Sequence, residues 1–425
     1  MRPVLYVILD GLGDRPIPAL GGRTPLEAAA VPHLTSLARR GRTGLVQTVG
    51  VGIAPESDVA VIAILGYDPF TYHTGRGVFE AVGAGIPFHD GDLALRGNFA
   101  TGKGMQILDR RAGRDLTSEE ARALADALTR DLRLVAVPAE LEVRASIGHR
   151  CGVVIRRRGG RLSGKITNTD PAYARVEGLG VARAQPGSTV ERCEPLDGGE
   201  EAEAAAALVN EFTQKAHEML DRHPVNERRR SLGKLPANLI LVRDAADHLP
   251  ALPPIAERFG IRFGCFVEMP VERGIAQLTG MSVIPVSPGG AEAATVYAEW
   301  ARTAAREIAR FQGLYIHIKG PDEPGHDGDA EAKRAVIETI DRAFFGTLLP
   351  QIDLAQVLIA VTADHATPCA LHSHSDDPVP LLLAGGGVIP DGSQGFSEPA
   401  CARGSLGTLR GIDVMPLIVR TAGAP

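Results

Sequence analysis

The chain lacks the features that mark membrane, nucleic-acid-binding and disulfide-stabilised proteins. None of its apolar runs approaches the roughly 20 residues that a membrane-spanning helix needs, so we predict no membrane segment. The formal net charge of −6 at pH 7 gives no basic excess, so we expect no nucleic-acid partner. Its five cysteines are scattered, odd in number and without metal-ligand spacing. We interpret them as reduced thiols and, since the chain enters a strand without a charged leader, we expect a cytoplasmic protein.

Aromatic residues are also scarce, at 4%, whereas 49 glycines and 30 prolines predict many tight turns between strands and helices. The hydrophobic fraction of 44% and the charged fraction of 23% are ordinary for a globular enzyme. With 425 residues, the chain is long enough for two or three domains.

The two ends of the chain share an alternation of short apolar strands with helices, and the middle has strands and helices of its own. In the ends we predict strands at residues 4–9, 45–49, 314–318, 357–362 and 380–384. Helices are predicted there at residues 24–30, 32–40, 59–65, 291–311 and 330–348. In the middle we predict strands at 93–96, 151–156, 239–242 and 262–266, and helices at 118–129 and 200–220.

This pattern predicts an α/β fold with a mostly parallel sheet flanked by helices. Residues 1–89 and 288–425 are expected to form that sheet domain together. Residues 90–287 are expected to form an inserted α/β substrate domain, because they are numerous enough for a core of their own.

Three carboxylates follow predicted buried strands at the two ends of the chain, namely Asp10, Asp322 and Asp364. In open α/β sheets the carboxyl ends of the strands carry the site, so we expect these side chains to converge. A single Asp after a strand is usually a helix N-cap or a turn former. That explanation would need the same coincidence at every one of these strand ends.

Three histidines accompany these carboxylates. His326 lies four residues after Asp322, His365 directly follows Asp364, and His374 precedes the last predicted strand. Carboxylate oxygens and imidazole nitrogens together suit one or two hard or borderline divalent metals. We interpret other histidines as satisfied core or surface residues, namely His33, His89, His217, His223 and His248.

The Gly/Pro loop at residues 50–58 places the hydroxyl of Ser57 at a predicted helix N-terminus. Such a serine is commonly a helix cap. Beside a metal cluster it also fits an oxygen nucleophile that a metal and the helix-end field activate, as phosphoryl transfer requires.

Several motifs together make the chain resemble the alkaline phosphatase superfamily and, within it, the cofactor-independent phosphoglycerate mutases of archaeal type. The motifs are LDGLGDR at 9–15, APESD at 54–58, LGYDP at 65–69, TGRG at 74–77, RGNFAT at 96–101, DRRAGR at 109–114, KGPDEPGHDGD at 319–329, TADH at 362–365, and HS at 374–375 before DPVP at 377–380. They span nearly the whole chain in order.

The resemblance implies a metal-binding phosphatase-like domain with an inserted substrate domain, and two divalent metal ions. We expect Mn²⁺, with Mg²⁺, Co²⁺ or Zn²⁺ as alternatives. By position, one metal would take the ligands Asp10, Ser57, Asp364 and His365. The other would take Asp322, His326 and His374, since His374 rather than His372 has the family's spacing to the Pro-Val-Pro run.

The implied reaction interconverts 3-phosphoglycerate and 2-phosphoglycerate through a phosphoserine on Ser57. Arginine side chains suit the substrate carboxylate, and locally clustered arginines suit a small anion. The candidate substrate-binding residues are Arg76, Arg96, Asn98, Arg110, Arg111, Arg114, Arg150, Asn238, Arg243 and Lys319. Each could instead be a surface residue or part of a local salt bridge, and we prefer that interpretation for residues 156–158 and 228–230. We also expect the two domains to close over the substrate and retain glycerate.

Two other functions fit the same scaffold. One is a different phosphotransferase or phosphomonoesterase, for example a homoserine-kinase-like enzyme. The other is a non-catalytic metal-binding protein, against which the intact Ser57 argues. The oligomeric state stays open.

Overall fold

The computed structural model describes residues 1–176, 179–183, 187–290 and 292–423, and the chain divides into two compact units. The first unit contains Met1–Tyr72, Leu252–Glu268 and Ala276–Pro425. The second contains His73–Ala251 and Met269–Ile275. The domain bounds that we predict from the sequence stay a prediction, and the compact units do not coincide with them residue for residue.

The strands and helices follow one another along the chain in both units. The strands are β1 Val4–Leu9, β2 Gly41–Gln47, β3 Leu93–Lys103, β4 Gln106–Asp109, β5 Ala139–Ala145, β6 Arg150–Arg157, β7 Tyr173–Val176, β8 Leu179–Ala182, β9 Leu239–Ala246, β10 Phe263–Phe266, β11 Ser282–Val283, β12 Gly313–Ile318, β13 Leu358–Thr362, β14 Val379–Gly385 and β15 Thr408–Arg410. The α-helices are α1 Pro25–Ala28, α2 Pro32–Arg39, α3 Ser57–Ile64, α4 Pro69–Tyr72, α5 Arg76–Gly83, α6 Ser118–Asp131, α7 Glu200–Asp221, α8 Pro224–Ser231, α9 Ile255–Phe259, α10 Pro270–Leu278, α11 Ala293–Glu307, α12 Asp322–Asp327, α13 Ala330–Ile340, α14 Gly346–Leu348, α15 Glu398–Cys401 and α16 Gly411–Thr421.

The first unit is built on an eight-stranded sheet with the order β11-β10-β12-β1-β13-β14-β2-β15. Strand β1 lies parallel between β12 and β13, and only β14 runs antiparallel to its neighbours among the described strands. Every residue of β1 is buried, as expected for an apolar strand covered on both faces. Helices including α2, α15 and α16 pack on this sheet. The predicted α/β fold with a mostly parallel sheet is confirmed.

Strand β10 belongs to a different sheet from the one that we predict from the sequence. Strand β10 pairs in parallel with β12, so it extends the eight-stranded sheet rather than the inserted segment to which we assigned residues 262–266. The apolar residues of β10 correctly predict that the segment is a strand, but they do not predict which strand lies next to it in the sheet. The predicted start of the helix at Ala291 lies outside the described residues, and α11 is described from Ala293.

The second unit has a mainly antiparallel sheet with its own core. Strand β3 is central, with β9 on one side and β6 on the other, and β4 and β5 complete the sheet. Helix α6 packs on β5 and helix α7 on β9. The fully buried core includes Leu124, Leu128, Val153, Phe212 and Ile240. None of the helices in the described ranges has the length and hydrophobicity needed to cross a bilayer.

Candidate metal centre and arginine cluster

The parallel strands of the first unit bring the three predicted carboxylates to one edge of the sheet. Leu9 at the end of β1 is level with Ile318 at the end of β12, and Ile8 is level with Thr362 at the end of β13. The three acids that follow these strands, Asp10, Asp322 and Asp364, are therefore neighbours, and all three are buried. This convergence follows from parallel pairing, because parallel strands have their carboxyl ends on the same side.

The first group of candidate ligands consists of Asp10, Ser57, Asp364 and His365. Nε2 of His365 lies 3.2 Å from Oγ of Ser57, 3.4 Å from Oδ1 of Asp10 and 3.3 Å from Oδ2 of Asp364. No hydrogen-bond partner within the described part of the chain satisfies Asp10 Oδ1 or Asp364 Oδ2, although both atoms are buried. Buried carboxylate oxygens without donors are costly, and a bound cation removes that cost, so these residues fit a metal ion.

Ser57 does not cap its helix. Glu56 occupies the N-cap position of α3, and Ser57 is the first residue of the helix, with its hydroxyl facing His365. The interpretation of Ser57 as a helix-capping serine is therefore wrong. Its position at the start of an eight-residue helix places its oxygen in the favourable field of the helix N-terminus.

The second group consists of Asp322, His326 and His374. Oδ1 of Asp322 lies 3.4 Å from Nε2 of His326 and 3.6 Å from Nε2 of His374. The two Nε2 atoms are 3.1 Å apart. Asp322 and His326 are one helical turn apart in α12, which places their side chains on the same face.

Backbone carbonyls orient both imidazoles of the second group. Nδ1 of His374 lies 2.8 Å from the carbonyl of Pro55, and Nδ1 of His326 lies 3.1 Å from that of His372. A carbonyl only accepts, so each Nδ1 carries the hydrogen and each Nε2 faces the cluster. Two lone pairs at 3.1 Å repel each other unless a proton or a metal ion lies between them, so this group also fits a cation.

Burial and neighbouring charges shift the pKa values of the carboxylates and of His374 in this site. Burial and the charge of Asp10 raise the pKa of Asp364 to about 7. Burial also acts to raise the pKa values of Asp10 and Asp322, but Lys319 and neighbouring histidines together outweigh it, and both pKa values are lowered. The histidines are His317 for Asp10 and His374 and His365 for Asp322. For His374, burial lowers the pKa, whereas Asp322 and Glu56 raise it, with a net rise to about 9.

The ligand atoms form two overlapping sets that could each hold a metal ion. One set is Asp10, Asp364 and His365, and the other is Asp322, His365 and His374, with the atoms of each set within 4.8 Å of one another. Together with His326, all the predicted metal ligands therefore come together. Their assignment to individual ions stays a prediction.

Lys319, a predicted substrate residue, lies between the two groups. Its Nζ is 2.6 Å from Oδ2 of Asp10 and 2.9 Å from Oδ2 of Asp322. The chain thus supplies one positive charge of its own to the carboxylates. A contact of Lys319 with phosphate stays a prediction.

Three further residues around the site are absent from our sequence-based candidates. His317 is buried in β12, and its Nε2 lies 3.1 Å from Oδ2 of Asp10. The sequence feature that could have identified His317 is a histidine within an otherwise apolar predicted strand. Lys333 and Thr367 are also fully buried and support the loops that carry the ligands, but no motif distinguishes them in the sequence.

Four of the ten predicted substrate residues lie on adjacent strands of the second unit. Arg96 on β3 is level with Arg243 on β9, and Asn98 on β3 is level with Arg150 on β6. The guanidinium of Arg243 stacks 3.2 Å from the ring centroid of Tyr173, and that of Arg110 lies 5.4 Å from the same centroid.

The half-buried His149 lies in the positive field of these arginines. Burial and the charges of nearby arginines lower the pKa of His149 to about 3, and these arginines are Arg150, Arg111, Arg96 and Arg114. Burial and the charge of Arg114 likewise lower the pKa of Arg111. A concentration of like charge that opposes further protonation attracts a small anion.

Several of the predicted substrate residues have partners within the fold, and Arg110 pairs with the buried Asp170. The amide of Asn238 bonds to both backbone groups of Gly102 and to Asp221, so its hydrogen-bonding groups are used within the fold. Arg76 lies 3.2 Å from Glu80, which also lies 3.5 Å from Arg96. The arginines at 156–158 form local salt bridges, which is the interpretation that we preferred for them. Arg229 also forms salt bridges, with Asp115 and Glu120, but its side chain is fully buried rather than exposed to solvent.

Comparison with known proteins identifies the family. A family model described as 2,3-bisphosphoglycerate-independent phosphoglycerate mutase matches residues 38–226. Proteins of that name from Aeropyrum pernix and Thermococcus kodakarensis are 45% and 38% identical to this chain, over 96% and 98% of it and 96% and 97% of their own lengths.

Solved structures agree with these relatives. A Pyrococcus horikoshii protein has a TM-score of 0.80 at 32% identity, covering 99% of this chain and 97% of that one. A cofactor-independent phosphoglycerate mutase from Thermoplasma acidophilum has a TM-score of 0.65 at 33% identity, with both chains fully covered. The chain therefore belongs to the family of 2,3-bisphosphoglycerate-independent phosphoglycerate mutases.

Proposed function

We propose that this chain interconverts 3-phosphoglycerate and 2-phosphoglycerate through a phosphoserine on Ser57. The observation that carries the proposal is the position of Ser57 Oγ, 3.2 Å from His365 Nε2, beside side chains that could hold metal ions. The names of the relatives favour a mutase over the phosphomonoesterase and homoserine-kinase-like alternatives.

We assign two divalent ions to the site, with Mn²⁺ as the expected metal because mixed carboxylate and imidazole ligands accept it. Asp10, Ser57, Asp364 and His365 would hold one ion, and Asp322, His326 and His374 the other. When bound, such ions lower the pKa of a coordinated hydroxyl and neutralise phosphate oxygens.

The residues of the chain prepare Ser57 for attack. Oγ of Ser57 lies 3.2 Å from Nε2 of His365, and without an ion the Nε2 lone pair accepts the Ser57 hydrogen. Because His365 would give that lone pair to a bound ion, Ser57 would then lose its hydrogen to solvent as its oxygen becomes a ligand. The start of helix α3 favours negative charge on Oγ. A new Oγ–P bond then forms as the ester bond between phosphorus and the glycerate oxygen breaks. The other glycerate hydroxyl later attacks phosphorus, and Ser57 leaves.

We propose that the arginine cluster binds the carboxylate of the substrate. Arg96, Arg150 and Arg243 are the central members, because they lie on three adjacent strands, with Arg243 level with Arg96 and Arg150 level with Asn98. Arg110, Arg111 and Arg114 add positive charge. Guanidinium groups suit this task because their paired N–H donors match the two carboxylate oxygens.

A cytoplasmic location is also part of the proposal. The thiols of Cys151, Cys193, Cys369 and Cys401 are free and buried, as is common in reducing compartments.

The decisive experiment is a mutase assay with purified protein. 2-Phosphoglycerate should form from 3-phosphoglycerate with Mn²⁺ present and 2,3-bisphosphoglycerate absent, and the activity should disappear with a chelator. Release of inorganic phosphate without 2-phosphoglycerate would show a phosphomonoesterase instead. No turnover under any metal would favour the non-catalytic alternative.

A further inference from the structure

Thr367 lies between the two groups of candidate metal ligands. It follows His365 by two residues in the loop after β13 and is fully buried. Its Oγ1 donates a hydrogen bond of 2.8 Å to Oδ1 of Asp322 and lies 3.2 Å from Nδ1 of His365. One hydroxyl thus contacts a ligand of each group.

The directions of these two hydrogen bonds follow from elementary chemistry. A hydroxyl has a single hydrogen, and a carboxylate only accepts, so the Thr367 hydrogen is directed to Asp322. The Thr367 oxygen must then accept from Nδ1–H of His365. The lone pair of His365 is consequently on Nε2, the atom that faces Ser57, Asp10 and Asp364.

The surrounding backbone fixes Thr367 in place. Its N–H donates to the carbonyl of Gly13 at 3.0 Å, and its carbonyl accepts from Nζ of Lys333 at 2.9 Å. The loops also leave room for it. A Cβ on Gly11 would lie only 2.6 Å from Thr367 Oγ1, and a Cβ on Gly325 would lie 2.5 Å from its carbonyl oxygen.

We propose that Thr367 is a positioning residue that couples the two groups, since it holds Asp322 in one group and sets the tautomer of His365 in the other. This inference rests on the proposed metal site. The same hydroxyl contacts a ligand of each group, so an ion that fixes the orientation of Asp322 also restricts the orientation of His365. An ion bound by His365 would restrict Asp322 in the same way. The two ions should therefore bind with positive cooperativity.

The test compares Thr367→Val, which keeps the shape and removes the hydroxyl, with Thr367→Ser, which keeps the hydroxyl. Mn²⁺ is titrated into metal-free protein, and free Mn²⁺ is measured by electron paramagnetic resonance. Hydrogen-bonding partners of metal ligands typically contribute about 10- to 100-fold in affinity. We expect a loss of that size and loss of cooperativity in Thr367→Val, and near-unmodified binding in Thr367→Ser.

The possible outcomes separate this inference from the proposed function. Two cooperative Mn²⁺ ions in the unmodified protein, with equal binding by Thr367→Val, overturn the role of Thr367 alone. Equal weakening in Thr367→Val and Thr367→Ser also overturns it, because the hydroxyl would then not be the cause. Absence of Mn²⁺ binding by the unmodified protein overturns both the metal site and the inference.

A second measurement does not use the Thr367→Val variant, so it tests the proposed role of Thr367 even if that variant does not fold. In the unmodified, metal-free protein, nitrogen-15 resonances of histidine report the tautomer, with His365 assigned by comparison with His365→Asn. We expect the hydrogen of His365 on Nδ1. A hydrogen on Nε2 would overturn the proposal.

Discussion

Nζ of Lys333 lies 2.9 Å from Oδ2 of Asp14, and both side chains are completely buried. The same ammonium donates to the carbonyls of Gly13 and Thr367. These carbonyls belong to the loops after β1 and β13, which carry Asp10 and Asp364. One lysine on α13 thus ties together two of the segments that supply the candidate ligands.

Replacement of this lysine should strongly destabilise the first unit. Lys333→Met leaves the Asp14 carboxylate as an unpaired buried charge, so we expect the free energy of unfolding to fall by about 3–5 kcal/mol. The measurement is urea unfolding followed by fluorescence of Trp300, the single tryptophan, which is buried in the first unit. The control is Arg410→Met, which breaks an exposed pair with Asp413 and should leave the free energy of unfolding nearly unchanged. Equal effects of the two variants would contradict the prediction.

Ser57→Ala should abolish turnover while the protein folds and still binds Mn²⁺. Loss of a covalent nucleophile removes the reaction path, so we expect activity to fall at least about a thousandfold. The matched control is Ser397→Ala, since Ser397 is a true N-cap, its side chain accepting from the N–H of Ala400. That variant should lose about 1 kcal/mol of stability and keep its activity. More than trace activity in Ser57→Ala would rule out the phosphoserine mechanism.

Variants of the second ligand group should bind fewer ions. Asp322→Ala and His374→Ala each remove a ligand, so each should lower the Mn²⁺ content from two ions per chain toward one. Metal content after dialysis is the measurement. His372→Asn is the control, because His372 contributes its carbonyl to His326 and its backbone has φ +54°, which Asn tolerates. Unchanged metal content in both ligand variants would mean that the second group is misassigned.

Loss of an arginine from the cluster should let glycerate escape before the phosphoryl group returns to it. A hydrogen bond to a charged group contributes about 1.5–3 kcal/mol, so Arg243→Met and Arg150→Met should lower mutase activity roughly 10- to 100-fold. The ratio of inorganic phosphate released to 2-phosphoglycerate formed should rise. Arg158→Met is the control, because Arg158 is largely exposed and pairs with Glu140. An unchanged ratio in both cluster variants would strengthen the case for a phosphomonoesterase.

Glu398 should make stability depend on pH. Burial of its carboxyl group raises its pKa to about 7, against the hydrogen bond from Thr24 that acts to lower it. The folded state therefore holds this proton more tightly than the unfolded chain does. The resulting stability is complete below about pH 4.5 and is lost as pH rises toward 7, at no more than about 1.4 kcal/mol per pH unit.

Glu398→Gln keeps a neutral side chain of the same shape and should lack this dependence. The free energies of unfolding of the two proteins, followed by Trp300 fluorescence, should converge or cross between pH 5 and 7 and run parallel above that range. Parallel curves over the whole range would show that Glu398 does not retain its proton on folding.

Much of the metal centre was predictable because its chemistry is encoded locally. The apolar run before Asp10 predicts a buried strand, and an Asp after such a strand lies at its carboxyl end. The four-residue spacing of Asp322 and His326 places both on one turn of α12. The strand β10 was predicted as a strand but not as a neighbour of β12, because pairing depends on segments far apart in the chain.

The amino-acid sequence by itself determined the residue types at the strand ends, the periods of the strands and helices, and thereby the α/β class and the set of candidate ligands. Only the tertiary structure decided that Lys319 contacts Asp10, that Asn238 bonds to Gly102, and that Thr367 joins Asp322 to His365. The physical reason is the distance along the chain over which each kind of interaction acts. Hydrophobic periodicity and spacing act over a few residues, whereas these hydrogen bonds, apart from that between Thr367 and His365, join segments 45 to 309 residues apart. Such contacts form only when strand register and loop packing bring the segments together.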